Sequence, residues 1–194
     1  MSPTENQQGI AADRVTDWMS QHIDDLASPL SFELIAGGHS NLTYSVQDQN
    51  GRTFVLRRPP LGHVLESAHD MGREHKIITA LAGSAVPVAE TVGLCKDVAV
   101  NDAPFYVMHY VAGPVLHDAE VTAQVPAQER AVLGDNVIDV LAALHQLDPD
   151  EVGLGDLGRK EAYLQRQLKR WSKQWDATET HKVPAMDAVS YTHL

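Results

Sequence analysis

The chain has 194 residues, 43% of them hydrophobic, and 26 acidic side chains against 15 Lys and Arg give a net charge of -11. That content suits a sizeable core in one ordinary domain or one and a half lobes, and the negative charge opposes nucleic acid or an anionic membrane as the main partner, since both demand a basic footprint. The lone cysteine, Cys95, excludes an internal disulfide framework, no stretch approaches the roughly 20 apolar residues of a membrane span, and MSPTENQQGI lacks a signal peptide's basic start and apolar run, so a cytoplasmic location is expected.

Ala11 to Leu26 reads as an amphipathic helix with Val15, Trp18, Met19, His22 and Leu26 on one face. Phe32, Leu34 and Ile35 then form a short extended run that stops at Gly37 and Gly38, and Leu42, Tyr44 and Val46 alternate with period two. Asn50-Gly51 before Thr53–Leu56 is a hairpin signal, and Arg57, Arg58, Pro59 and Pro60 end that strand. Glycines without Cβ let backbone N–H groups approach a polyphosphate, His39 lies within the same turn, and Ser40, Asn41 and Thr43 add neutral donors. A cation at the end of the third strand is aimed at the same place; the bland alternative is a meander without a ligand.

Residues 66 to 82 form a helical stretch in which Met71, His75, Ile78 and Leu81 or Ala82 recur on one face, flanked by Glu74. In protein kinases a glutamate on the helix after the third strand pairs with that strand's cation, which makes Arg57 with Glu74 the candidate pair. The alternative is a solvated glutamate beside Arg73. Val86–Val88 starts another extended segment, and Val92–Cys95 and Val98–Val100 alternate around Asp97. Phe105–Met108 is a strand running into His109 and Tyr110. Residues 127 to 147 form a long helix with Val132 or Leu133, Val137, Val140, Leu141 and Leu144 expected inward, and Ala162 to Trp175 another, with Leu164, Leu168, Trp171 and Trp175 opposite a cationic face. Gly153, Gly155 and Gly158 satisfy GxGxxG, but LDPDEV precedes them where a dinucleotide fold needs an apolar strand. His69 and His75 flank Glu74 without HExxH spacing, so each is expected to be a surface or packing histidine.

GGHSNLTY, FVLRRPP, the REH of Arg73–His75, FYVMHYVAGPVL and LAALHQLDPDEVGLGDLGRKEAYLQRQLKRWSKQW together resemble the aminoglycoside phosphotransferase and choline kinase-like family. The likeness is to the branch found beside, or fused to, acyl-CoA dehydrogenases, and it runs from about Phe32 to about Pro184. It implies an α+β, protein kinase-like fold: a small antiparallel-sheet N-terminal lobe and the beginning of a helical C-terminal lobe. The implied organisation is a helical extension over 1–29, an ATP-binding lobe with its hinge over 30–113, a partial helical lobe over 114–189 and a non-native tail over 190–194.

By position in that family, Gly37, Gly38, His39, Ser40 and Asn41 cover the phosphates of ATP, Arg57 stands where lysine is common, Glu74 is its partner, and Met108, His109 and Tyr110 line the adenine hinge. The acceptor implied is a small-molecule hydroxyl of unknown identity. The family's HGDxxxxN and its later acidic, metal-holding motif are not in these residues, so magnesium is expected only in intact relatives. Three readings stay open: a phosphotransferase fragment that binds ATP, a noncatalytic nucleotide-binding or interaction module, and a piece too incomplete to fold or act.

Overall fold

The computed structural model describes residues 8–35, 41–62, 69–186 and 188. The chain divides into two compact units, Met1–Leu154 and Gly155–Leu194. The first is α+β and holds one sheet of five strands: β1 (Ser31–Leu34), β2 (Leu42–Gln47), β3 (Thr53–Arg58), β4 (Thr91–Cys95) and β5 (Phe105–His109). All neighbours are antiparallel and the order is β1-β2-β3-β5-β4. Its helices are α1 (Ala12–Ser20), α2 (Met71–Leu81), α3 (Val98–Asn101), α4 (Ala119–Ala123) and α5 (Ala127–Gln146). The second unit holds α6 (Tyr163–Thr178).

Alternation divides the sheet into two faces. One is packed by α1: Val15 and Met19, both fully buried, meet Phe32, Tyr44, Val46, Phe54, Leu56, Cys95, Phe105 and Val107. Burying Val15 and Met19 contributes roughly 1.5–3 kcal/mol each. Trp18 meets Phe105 edge-on at 5.1 Å and stacks on His22 at 3.9 Å. Beneath it β4 carries Gly93, where a Cβ would stand 3.2 Å from the Trp18 ring. Arg58 holds α1's entry, donating to the carbonyls of Gly9 and Asn101, and Asn101 Oδ1 accepts the Ala11 N–H at 2.9 Å. The opposite face carries Val55, Arg57, Tyr106 and Met108, and α2 lies against β4 and β5.

The β2–β3 turn is built on a buried carboxylate. Asp48 accepts the N–H groups of Asn50 and Arg52 at 3.0 and 2.8 Å and the Arg52 Nε–H at 2.8 Å, while Gly51 takes the left-handed φ of +81°. Burial pushes the Asp48 carboxyl up, but the bonds and charge of Arg52 and the Ala27 N–H outweigh it and hold the carboxyl below the usual range.

Four details differ from the sequence expectation. The first helix ends at Ser20, with His22 N–H and Ile23 N–H folding back onto the Met19 carbonyl. The second begins at Met71 because Asp70 caps it, accepting the Arg73 N–H at 2.9 Å; residues 66–68 lie outside the described residues. Val98–Asn101 is a helical turn, not an extended segment, since Asp97 accepts the Ala99 N–H at 2.9 Å and starts a turn. On α5 the stripe expected inward is open: Val132, Leu133, Val137, Leu141 and Leu144 are exposed, and no α5 residue is buried. Within the second unit, Leu164 and Trp171 of α6 are exposed as well. No helix among the described residues is long and apolar enough to cross a membrane.

Candidate functional site

The ladder joining β1 and β2 runs to the Ile35 N–H, which donates to the Thr43 carbonyl at 2.8 Å, so the two strands stay paired up to Ile35 and Thr43. Gly37, Gly38, His39 and Ser40 lie outside the described residues; Asn41, the last residue of the turn, is described and buried. Arg57 and Tyr106 are direct cross-strand partners on β3 and β5, as are Val55 and Met108. Their side chains therefore share the face that α2 approaches.

On that face Glu74 of α2 is the meeting point. Arg57 Nε lies 3.3 Å from Glu74 Oε2, with about 30% of each side chain exposed (31% and 29%). The Nε–H is buried but not aligned on the carboxylate and makes no hydrogen bond, so this is a charge contact rather than a directed bond. The directed bonds on Glu74 come from neutral donors. Asn41 Nδ2 donates to Oε1 at 2.7 Å, and the Tyr106 hydroxyl donates to Oε2 at 3.1 Å. His69 Nδ1 is 2.6 Å from Asn41 Oδ1, and the His75 ring meets the Tyr106 ring edge-on at 6.0 Å. Burial pushes the Tyr106 hydroxyl far above its ordinary value, with the Glu74 carboxylate adding to that and Arg57 opposing it. Tyr106 accordingly stays a donor.

This arrangement leaves the Arg57 guanidinium steered by a carboxylate on one edge, while its terminal nitrogens hold no hydrogen bond among the described residues. A half-buried fork of that kind matches an anionic oxygen pair.

Of the residues expected at the end of β5, Met108 shares the Arg57 face. The His109 ring is turned to Phe54 on the other, 5.4 Å between centroids. The His109 N–H is bonded to the Glu90 carbonyl at 2.8 Å, and the Tyr110 N–H reaches the Thr53 carbonyl at 3.4 Å. The first N–H past the strand without a backbone partner among the described residues belongs to Val111, which is well exposed. Sequence reasoning read Tyr106 only as strand and His69 as surface or packing. Tyr106 was findable, because it precedes Met108 by two residues and so shares its face; His69 carried no such signal.

The phosphotransferase enzyme family model (APH) matches residues 31–194. The chain belongs to the phosphotransferase enzyme family. Within it, this phosphotransferase-family chain is similar to a Ralstonia eutropha protein whose crystal structure is described as that of a "putative aminoglycoside phosphotransferase". The TM-score is 0.74 and the identity 37%, over 93% of this chain and 52% of that one. The likeness makes the fold kinase-like, as the sequence motifs implied. The chain is also 36% identical to acyl-CoA dehydrogenase family member 11 of Gallus gallus over 164 residues, 84% of its own length, and 36% identical to family member 10 of Mus musculus over 152 residues, 78% of its length. It spans only 21% and 14% of those two relatives.

Proposed function

We propose that this phosphotransferase-family chain is an ATP-gripping element, binding the nucleotide's phosphates against the sheet face that carries Arg57 and its adenine beside Met108 and the Val111 N–H. One observation carries the reading: the Arg57 guanidinium is half-buried, steered by Glu74 and left with uncommitted terminal donors. Bound ATP supplies a transferable γ-phosphoryl group, and the family implies a small-molecule hydroxyl as its acceptor. The residues in hand bind and orient. Arg57 neutralises phosphate charge through paired N–H groups, Glu74 holds the guanidinium against the sheet, and Tyr106 stays protonated to hold Glu74. The lone, buried Cys95 supports a reducing, cytoplasmic setting.

A second reading, a noncatalytic nucleotide-binding module, rests on the same geometry, since Arg57, Glu74 and Tyr106 bind and orient a nucleotide without themselves transferring a phosphoryl group. Thermal melting with and without ATP and magnesium, followed by an ATP consumption assay, tests both. Nucleotide at about 100 times its Kd is expected to stabilise the fold by about 2.7 kcal/mol, and Arg57→Ala to remove most of that shift. Binding without turnover supports the second reading and turnover excludes it. The ATP proposal fails if the unaltered chain shows no cooperative, ATP-raised melt, and Arg57 loses its role if Arg57→Ala leaves the shift intact.

A further inference from the structure

Glu74 is gripped by an amide whose orientation the chemistry fixes. A carboxylate only accepts hydrogen bonds, so the Asn41 amide must turn its Nδ2 toward Glu74 Oε1, 2.7 Å away. Its Oδ1 then faces His69 Nδ1 at 2.6 Å, and that oxygen also only accepts. The His69 proton is therefore on Nδ1, leaving Nε2 bare in the neutral ring. Asn41 closes the glycine turn, and His69 directly precedes the Asp70 cap of α2. The chain His69–Asn41–Glu74 thus ties the start of β2 to the helix that steers Arg57.

We infer that Asn41 and His69 are positioning residues of the phosphate cradle: the Asn41 amide is spent on Glu74 rather than offered to phosphate, and His69 locks the amide in that direction. The inference rests on the ATP reading above, because it concerns how that same site is held. A displacement of Asn41 is transmitted to Glu74 and so to the guanidinium, and nucleotide affinity depends on two side chains that do not touch the nucleotide.

Two readouts test it. Ring ¹⁵N spectra of the full chain at neutral pH should show the His69 proton on Nδ1, assigned by its loss in His69→Gln, and Asn41→Ala should return the ring to the Nε2–H form. ATP titrations should give a Kd about tenfold weaker for Asn41→Asp, which sets two carboxylates together, and for His69→Phe, which keeps a ring but loses the donor. His69→Gln restores an N–H donor and should keep the Kd within about twofold. A packing role alone would lower the melting temperature of the free variants while leaving Kd and tautomer unmoved, and that result, or an Nε2–H ring in the unaltered chain, overturns the inference. If Arg57→Ala abolishes ATP binding and the Asn41 and His69 variants do not weaken it, the coupling alone is wrong. If the unaltered chain binds no ATP, the nucleotide reading falls and the coupling falls with it.

Discussion

Burial depresses the pKa of His75, whose half-buried ring stands edge-on to Tyr106. The folded chain therefore prefers the neutral ring. Stability linked to this group is fully present above the ordinary value of 6.5, and it is lost as pH falls from there toward the depressed folded value, where the ring must charge in place. His75→Gln is expected to flatten this part of the acid limb. Melting temperatures at pH 7.5 and pH 5 should converge more closely in the variant than in the unaltered chain, and equal acid sensitivity would mean that other groups carry it. The contact of Glu74 with Arg57 was legible from order alone, a cation ending the third strand and a carboxylate on the next helix. The bonds that hold Glu74 were not. They join positions 41, 69, 74 and 106 through side-chain directions that only the folded register defines.

Among elements, local chemistry set the legible boundaries. Asn50-Gly51 marked its hairpin because a left-handed residue is needed there, and the alternation of β2 and β3 assigned their faces. The N-terminus of α2 depends on Asp70, whose carboxylate takes the Arg73 N–H. Asp70→Ala is expected to cost about 1 kcal/mol of stability in denaturant titrations, and a change too small to measure would show that packing alone fixes where the helix starts. Asp97 works by the same device at α3, and there sequence reading went astray: Val-Ala-Val has the alternation of a strand, and the cap overrides it. The α5 stripe misled differently. Periodicity says that a helix face is apolar; it does not say that anything covers it, and among the described residues Val137 is 65% exposed.

For the whole molecule, the apolar contacts that matter gather on the α1 side of the sheet. Phe105→Ala, at a site with no exposure, is expected to cost about 3–5 kcal/mol, while Val137→Glu on open α5 should stay within about 0.5 kcal/mol. Chemical denaturation of the two variants checks the contrast, and a large loss from Val137→Glu would reveal a buried environment for that helix. The α1 packing also decides where a foldable piece has to begin. The phosphotransferase family model starts at residue 31, yet Val15 and Met19, upstream of it, plug the outer face of the sheet, and Arg58 reaches back to Gly9 to secure them. A fragment cut at residue 31 would bare Tyr44, Leu56, Phe105 and Val107 as one greasy wall, so a piece of this protein able to fold by itself has to begin ahead of Gly9.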